Sequence, residues 1–483
     1  MYASALALFV TGALAQFNPL HHLGGNSPYF PGPNVFGISP DPPPGCTVDQ
    51  AAFTSRHGSR YPDPSAYYQW TNLSAKIHAQ SFSTNASEFD FLQSWQPVLR
   101  DPAPEISELS LGGYKELYDM GIDYRWNYPD FYKENTPYVL WANRYQDSVF
   151  RVVDSARLFA RGYLGPNATV DGSVYVLNNT DPRSIANSLA PSDLCANYDD
   201  DSGGANATTW ADIYVPPIVS RVNSLLSGLQ FNSSDVTQFP VLCGFETQIT
   251  GRRSPWCDTL TQQEILQYEY AQDIRYWYGT GLGTQLEKNL MLPFLTALIQ
   301  RFIDGPNATY NTTTSNTTTP PFHPNPLIAT FTNDGQINQL AAAIGVFDAQ
   351  PQLPATHIPA NRTYKSSHFV PMRGTIGFER LNCGYQGLHM RIKLDDQVYP
   401  VPACQQGPGR SCPLEQYRGI VAGKSAAAGD FEVECGIANT SLVPVGQDKT
   451  TFLTDLGLAW DYQQTEEKRQ TTNRANRTLL LPL

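Results

Sequence analysis

The sequence predicts an α/β fold that is interrupted by a mostly helical segment. Short apolar runs bounded by turn residues are typical of buried strands, and two of them lead through polar residues into helical patterns. From about residue 165 to 320 the character changes, because Asn- and Asp-rich loops alternate with helical patterns. We therefore expect an α/β domain made of residues 16–164 and 321–483, with an inserted helical domain at 165–320.

The apolar and periodic patterns place the individual elements. Strands are predicted at residues 47–55, 138–142, 327–331, 375–381 and 390–394. Helices are predicted at residues 148–163, 262–278, 285–302 and 336–346. The last two strands alternate as paired strands do, and we expect Glu379 and Arg380 to face solvent or to form structural pairs. A further helix within residues 105–125 is expected to be broken by a turn at Gly112-Gly113.

The first 15 residues form an apolar run that ends in Ala13-Leu14-Ala15, a small-x-small cleavage signal. Although no Lys or Arg precedes the apolar core, the run is typical of a secretory signal peptide. It is too short to span a bilayer, no other stretch is long enough, and the apolar end at 479–483 is too short for a lipid-anchor tail. We expect a soluble, secreted, extracellular protein that does not enter a membrane.

The formal net charge of −12 argues against nucleic-acid binding, because a nucleic acid presents a dense row of negative phosphates. Clustered arginines in such an acidic chain instead indicate a local anion site. Many Asn-x-Ser/Thr acceptors after a signal peptide predict N-linked glycans. The acceptors are Asn72, Asn85, Asn167, Asn178, Asn206, Asn232, Asn307, Asn311, Asn316, Asn361, Asn439 and Asn476.

A compact charged motif, RHGSRYP, follows the first predicted strand at residues 56–62. Arg56 and Arg60 can donate paired hydrogen bonds to phosphate oxygens while staying charged, and Gly58 lets a bulky anion approach the backbone. A neutral His57 between them is suited to attack a phosphorus atom. Ligands bind at the carboxyl ends of strands in α/β folds, so we favour a phosphate site over a solvated surface loop.

RHGSRYP matches the RHGxRxP signature of the histidine acid phosphatases. The surrounding text, HLGGNSPYF…GISPDPPPGCTVDQAAFTSRHGSRYPDPSA, resembles the secreted fungal acid phosphatase and phytase branch of that family. The resemblance recurs along nearly the whole chain. It implies a central, mostly parallel sheet flanked by helices, as in phosphoglycerate mutase, with a smaller inserted helical domain.

The chain contains eight cysteines, an even number that suits disulfide formation in an oxidising compartment. No CxxC pair is present, which argues against a zinc site. Sequence alone leaves the connectivity open. The family resemblance implies the pairs Cys46–Cys383, Cys195–Cys435, Cys243–Cys257 and Cys404–Cys412.

The resemblance also implies roles for residues outside the first motif. Arg151, within RVVDSARLFARGYLG, would join the phosphate-binding arginines from a helix N-terminus, a position that itself attracts anions. Spacing alone would make Arg151 an ordinary surface arginine, and Arg144 is a further candidate. Glu246 falls where family members carry an acidic residue at the rim of the substrate pocket. A glutamate on a helix surface is the alternative.

The second family motif is His-Asp, and this chain has Asn333-Asp334 at the corresponding place. The aspartate is kept and the histidine is lost. Asn333 offers a phosphate group a neutral amide donor where histidine would offer a chargeable one. We expect retained activity with an altered pH profile or substrate range, with inactivity as the alternative.

These residues define an expected reaction without a metal or other cofactor. His57 attacks phosphorus to form a phosphohistidine, while Arg56, Arg60 and Arg151 neutralise the phosphoryl oxygens. Asp334 protonates the leaving group and then helps to activate water. His57 must be neutral while Asp334 is protonated, the reverse of their ordinary pKa order. We expect the arginines to lower the pKa of His57, a bound phosphate dianion to raise that of Asp334, and an acidic optimum to result.

The predicted function is a secreted phosphomonoesterase, either a broad acid phosphatase or a phytase, that acts on small-molecule phosphomonoesters. The alternative is a catalytically impaired, phosphate-binding secreted glycoprotein whose second motif has decayed at Asn333. A phosphoglycerate-mutase-like enzyme would share the Arg-His-Gly sequence. The signal peptide, the cysteines and the Arg-x-Pro extension favour the acid phosphatase branch.

Overall fold

The computed structural model describes residues 17–143, 150–177, 187–200, 203–311, 322–440 and 450–461. The predicted signal peptide and Arg144 lie outside these residues. Within the described part of the chain, no helix combines the length and apolar character needed to cross a bilayer.

A mixed sheet, nine-stranded in the described residues, forms the centre of the molecule. Its longer strands are β1 Thr47–Arg56, β2 Tyr138–Asn143, β3 Gly172–Leu177, β4 Leu327–Thr332, β5 Thr375–Asn382, β6 Leu388–Leu394 and β7 Ala459–Asp461. The central strands lie in the order β1-β4-β2-β3 and are parallel, as the sequence predicts. β5 and β6 extend one edge and β7 the other, all antiparallel to their neighbours. The short strands Gln397–Val398 and Cys412–Pro413 pair with β6.

Helices cover both faces of the sheet and form a separate cluster beside it. The longer helices are α1 Pro64–His78, α2 Leu111–Asn127, α3 Arg151–Leu164, α4 Gly204–Ser224, α5 Gln238–Thr250, α6 Gln262–Gly279, α7 Leu292–Asp304, α8 Asp334–Ala343 and α9 Leu414–Ala428. Short helical turns occur at Pro102–Glu105, Ala168–Asp171, Ser233–Val236 and Phe431–Glu434. The expected α/β architecture with an additional helical part is therefore present.

The apolar side chains of the sheet alternate between two cores. In β2, Leu140 packs with α2 and α3 on one face, whereas Val139 and Trp141 belong to the larger core on the other face. Phe53 of β1 joins the first core, where its ring contacts Phe159 of α3. Burial on both faces explains why these strands are continuous apolar runs in the sequence.

The helical part is assembled from two stretches of sequence. Trp70 of α1 packs edge-on against Phe245 of α5, and the strand Ser83–Thr84 pairs with Leu226–Ser227. Conversely, β3 lies within the predicted insert but pairs with β2 in the main sheet. β3 therefore belongs to the main sheet although it lies after residue 165, and the division into domains stays a prediction.

Two predicted elements differ from the structure. The turn expected at Gly112-Gly113 is wrong, because α2 runs unbroken from Leu111 after Ser110, whose hydroxyl accepts from the Gly113 N–H. The helix expected from residue 285 begins at Leu292, with a proline in its first turn. In both cases the sequence pattern locates a helix but misplaces its start.

The expected pairing of Glu379 and Arg380 is confirmed, and the solvent-facing alternative is wrong. Both side chains are buried. Glu379 accepts from Arg391 and Lys393 of β6, and Arg380 pairs with Asp49. Burial of these charges is possible because each has an opposite charge within hydrogen-bond distance.

All four disulfides implied by the family resemblance are formed: Cys46–Cys383, Cys195–Cys435, Cys243–Cys257 and Cys404–Cys412. None of the eight cysteines is free.

Candidate active site

The two sequence motifs meet at the carboxyl ends of neighbouring parallel strands. Arg56 is the last residue of β1 and lies opposite Thr332, the last residue of β4. The backbone N–H of His57 donates to the carbonyl of Thr332, so the RHG loop is tied directly to the chain that leads into Asn333-Asp334. The topology thus brings together residues that are nearly 280 positions apart in the sequence.

His57 is held as a neutral imidazole with one nitrogen available. It is 1% exposed, and its Nδ1 lies 2.9 Å from the carbonyl oxygen of Gly58. Because a carbonyl only accepts, Nδ1 carries the proton and Nε2 is left with its lone pair. Burial and the charges of Arg151, Arg56 and Arg60 hold the pKa of His57 well below its ordinary value. This is the direction that a nucleophilic histidine requires.

Arg56 and Arg60 are anchored by the protein on one side. Nη1 of Arg56 donates to the carbonyls of Gly25 and Val370 at 2.6 and 2.8 Å. Nη1 of Arg60 donates to the carbonyl of Tyr61. The Nε atoms of both arginines are buried and make no hydrogen bond within the described residues. Arginines that the protein holds in place but that keep N–H donors without a partner are suited to bind an anion.

Arg151, in the first turn of α3, joins Arg56 and Arg60, and these three residues form the arginine cluster of the site. Arg151 is buried, and its Nη1 donates to the carbonyl of Ser107. The carboxylate of Asp63 lies between Arg151 and Arg60, 3.4 Å from the first and 2.8 Å from the second. The surface alternative for Arg151 is therefore wrong. Asp63 was not predicted, although it directly follows the RHGSRYP motif.

Asn333 and Asp334 lie at the start of α8. Asn333 occupies the N-cap position but makes no capping hydrogen bond with its side chain, and its buried Oδ1 has no partner in the described residues. Asp334 lies 3.5 Å from Nη2 of Arg56, and its side chain is 30% exposed. Asp334 is thus beside the arginine cluster, and the side chain of Asn333 is not used to cap α8.

The surroundings of Asp334 favour its ionised form. Burial acts to raise the pKa of the carboxyl, but the charges of Arg56 and Arg275 outweigh it. Together with a hydrogen bond from the hydroxyl of Tyr276, they hold that pKa well below its ordinary value. Arg275 and Tyr276 come from α6 in the helical part. Nothing in the local sequence pattern pointed to them.

α2 packs against the RHG loop, the segment that follows β1 and includes His57, Gly58 and Ser59. Glu116 accepts from the backbone N–H of Ser59 at 2.7 Å and from its hydroxyl at 2.6 Å. A Cβ at Gly113 would overlap the carbonyl oxygen of Ser59, so the helix approaches the loop at a distance that only glycine permits. Glu116 and Gly113 were missed because their partner is 50 residues or more away.

Glu246 is buried in the helical part rather than exposed on a helix surface. It is 3% exposed, and its carboxyl accepts from the indole of Trp95 at 2.7 Å and the hydroxyl of Ser254 at 2.6 Å. Burial raises its pKa to about 7, although the two hydrogen bonds oppose the shift. Its contacts do not join it to the arginine cluster, and a role at the pocket rim stays a prediction.

A histidine held neutral among arginines at the carboxyl end of a parallel sheet defines the class of phosphoryl-transfer proteins that use histidine. The comparison with family models agrees with this geometry. Residues 47–397 match the model of the histidine phosphatase superfamily, branch 2. The chain belongs to this family of phosphoric monoester hydrolases.

Curated relatives extend over almost the full chain. The phytase PHO112 of Candida albicans is 27% identical over 93% of this chain and 92% of its own length. The acid phosphatase PHO1 of Komagataella pastoris is 29% identical, with 92% and 90% covered. The crystal structure of the phytase from D. castellii superposes with a TM-score of 0.75 and 26% identity, covering 89% of this chain and 90% of that one. The predicted family, fold and enzyme class are thus confirmed.

Proposed function

We propose that this protein is a phosphomonoesterase that works through a phosphohistidine at His57 without a metal ion. The observation that carries the proposal is the state of His57, which is buried, neutral and hydrogen-bonded through Nδ1. Nε2 is therefore the atom that attacks. Arg56, Arg60 and Arg151 supply the positive charge that the transferring phosphoryl group needs.

The reaction proceeds in two displacements. In the first, Nε2 of His57 bonds to phosphorus, the ester P–O bond breaks, and protonated Asp334 gives its proton to the leaving oxygen. In the second, a water molecule attacks phosphorus, the P–N bond breaks, and the carboxylate of Asp334 takes a proton from the water. The product phosphate then leaves the arginines.

The protonation of Asp334 depends on the bound substrate. In the empty site Arg56 and Arg275 keep the carboxyl ionised. A phosphate dianion that binds to Arg56 offsets that positive charge and adds a negative charge nearby, so the pKa of Asp334 rises. The acid form is produced where the substrate is bound, and an acidic working pH increases its population.

The substrate class follows from the site and the relatives. Relatives named phytase and acid phosphatase both cover this chain, so small phosphate esters are the proposed substrates and phytate is a candidate among them. Asn333 would donate its amide N–H to the phosphate. Arg275, an exposed cation near Asp334, would meet a second phosphate of a polyphosphorylated substrate.

We also propose that the protein is secreted and N-glycosylated. The apolar run at 1–15 and the four disulfides support export to an oxidising compartment. Mass spectrometry of the protein recovered from culture medium, before and after glycosidase treatment, tests both points. An intact residue 1 or an unchanged mass would count against them.

The test of the function is phosphate release from an aryl phosphate and from phytate between pH 2 and 8 with a chelator present. Wild-type protein should release phosphate, and His57→Ala should lose at least about a thousandfold in rate. Acid quenching with labelled substrate should trap phosphate on wild-type protein but not on the variant. The ratio of the rates of phosphate release from phytate and from the aryl phosphate distinguishes a phytase from a general phosphatase.

The opposite results are equally informative. Release that stops with chelator would remove the metal-independent scheme. Absence of release from both substrates, with phosphate binding retained, would favour the non-catalytic phosphate-binding alternative and direct attention to Asn333.

A further inference from the structure

The hydroxyl group of Tyr276 lies against the carboxylate of Asp334. Tyr276 is buried near the end of α6, and its hydroxyl donates to Oδ2 of Asp334 over 2.7 Å. Nη2 of Arg56 lies 3.5 Å from the same oxygen. No residue that the structure describes donates a hydrogen bond to the other oxygen, Oδ1. Oδ2 is therefore held by the protein, and Oδ1 is left to carry the proton that Asp334 gives to the leaving group.

The same helix that begins with Asp334 also holds the backbone of Tyr276. Asn338 follows Asp334 by one helical turn and lies on the same face of α8. Its Nδ2 donates to the carbonyl of Tyr276 at 2.5 Å and to the hydroxyl of Thr280 at 2.8 Å, and its Oδ1 accepts from Tyr364. Two residues of α8 thus bind Tyr276, Asp334 at its hydroxyl and Asn338 at its carbonyl. These two contacts restrict the position of the Tyr276 hydroxyl beside Asp334.

The N-terminal segment makes room for the hydroxyl. A Cβ at Gly25 would overlap the hydroxyl oxygen of Tyr276. The carbonyl of the same Gly25 accepts from Nη1 of Arg56. A glycine is therefore required at a point where Tyr276 and Arg56 converge on Asp334. Three separate parts of the chain determine the position of one carboxyl group.

We propose that Tyr276 is a positioning residue for the acid–base group Asp334, holding Oδ2 so that Oδ1 faces the leaving group. This inference rests on the proposed function. It adds a residue of the helical part to a reaction whose other groups lie at the ends of the sheet strands. It also gives this chain a fixed acid–base group although Asn333 replaces the histidine of the family motif.

The proton transfers place opposite demands on the carboxyl, and the Tyr276 hydroxyl serves both. Oδ1 loses its proton to the leaving oxygen, and the negative charge that forms on Asp334 is stabilised by the O–H donor at Oδ2. The same donor keeps the carboxylate aimed at the water molecule in the second displacement. The tyrosine proton stays on Tyr276 throughout, since burial and the neighbouring Asp334 charge raise its pKa.

Removing the hydroxyl has a defined effect on titration. A donor to a carboxylate favours the ionised form, so its loss raises the pKa of Asp334. The limb of the pH–rate profile that reports Asp334 should then move to higher pH. The other groups that face Asp334 are unchanged by this substitution: Arg56 and His57 at the end of β1, Arg60 in the following loop, Arg275 on α6, and Tyr198.

The leaving group provides a second, independent signal. A nitrophenolate leaves readily without a proton, whereas the alkoxide of glycerol phosphate needs one. A misplaced general acid should therefore slow the alkyl ester and spare the aryl ester. A loss of general structure would slow both esters alike.

The experiment compares Tyr276→Phe with wild type on 4-nitrophenyl phosphate and glycerol phosphate across pH. For Tyr276→Phe, kcat/KM for the alkyl ester should fall roughly tenfold and that for the aryl ester by less than about threefold. In Tyr276→Phe, the limb of the pH–rate profile that reports Asp334 should shift to higher pH by about one unit. Tyr278→Phe is the matched control, because its hydroxyl is on the same helix but donates to the carbonyl of Leu353.

A double-mutant cycle completes the test. In an Asp334→Asn background, Tyr276→Phe should change the alkyl-ester rate by less than about twofold, since the group that it positions is gone. Equal losses on both esters, an unshifted pH profile, or full additivity with Asp334→Asn would each overturn the inference while wild-type activity stood. Absence of activity in wild type would instead overturn the proposed function. Thermal unfolding of each variant confirms that folded proteins are compared.

Discussion

Removal from water favours the neutral form of Asp334 and of Glu246, yet the pKa values of these two carboxyl groups shift in opposite directions. Asp334 is surrounded by arginines, and their charges keep its pKa low in spite of burial. Among the described residues the donors to Glu246 are the neutral groups of Trp95 and Ser254, so burial prevails and its pKa rises to about 7. Whether a buried acid is charged at working pH thus depends on the charge of its neighbours rather than on burial alone.

Glu246 should make the protein less stable as the pH rises. Its folded pKa lies above the unfolded value of 4.5, so its contribution to stability is full below about pH 4.5 and is lost as the pH passes through about 7. Glu246→Gln keeps one oxygen acceptor, replaces the other oxygen by an amide N–H donor and removes the charge. We expect the variant to gain about 2–3 kcal/mol relative to wild type between pH 4.5 and 8, measured by urea unfolding at each pH.

Glu415→Gln on the exposed face of α9 is the control, and its stability should run parallel to wild type across the range. A constant difference between Glu246→Gln and wild type at all pH values would contradict the argument. Glu246→Gln also tests the role expected for Glu246 at the rim of the substrate pocket. An unchanged preference between phytate and an aryl phosphate would remove Glu246 from the substrate site.

At the scale of the element, α2 shows why one glycine pattern has two meanings. Gly112-Gly113 resembles a helix break in the sequence, yet the helix runs through it. A Cβ at Gly112 would meet the carbonyl of Gln248, and one at Gly113 would overlap that of Ser59. Gly112 thus allows α2 to approach α5, and Gly113 allows it to approach the RHG loop. Both glycines lower the helix propensity of α2, but the close approach brings Glu116 to the loop.

Substituting alanine for glycine should therefore have opposite effects in two helices. Gly113→Ala should push the RHG loop, lowering stability by about 1–3 kcal/mol and kcat/KM by roughly tenfold or more. Gly423→Ala in α9 faces open space and should raise stability by about 0.5–1 kcal/mol with unchanged activity. Thermal unfolding and kinetics of the two variants provide the comparison. Equal effects of the two substitutions would contradict the close-approach argument.

At the scale of the whole molecule, disulfides join parts that are distant in the sequence. Cys195–Cys435 closes a loop of 240 residues and links the segment after the sheet strand β3 to the C-terminal region. Cys404–Cys412 closes a loop of eight. In the chain-entropy model, the longer loop restricts the unfolded chain more.

Replacing both cysteines of a pair by alanine should show this difference. The Cys195/Cys435 variant should lose about 5 kcal/mol and the Cys404/Cys412 variant about 2.5 kcal/mol. Because a chain of this size can unfold in stages, the order of the thermal midpoints is the quantity to compare. A larger loss for the short loop would show that native contacts, rather than loop closure, determine the effect.

Much of the site was predictable because its central groups are local in the sequence. RHGSRYP places His57 and two arginines within five residues, directly after a partly apolar run that predicts a buried strand and forms one. The resemblance carried the cysteine pairs and Arg151 as well. Helix starts and the strand β3 were less predictable, since a glycine pair or a strand in a loop-rich region has the same local pattern in several settings.

Residue type and adjacency are enough to place a histidine between two arginines at the end of β1, so this part of the site can be recognised in the sequence. The groups that surround Asp334 are brought together by tertiary packing. Tyr276 and Gly25 lie far from it in the chain and carry no local signal of their role. Their contribution arises from packing of the helical part against the strand ends, where a hydroxyl, an arginine and a carboxyl group lie together and the energy of each depends on the others.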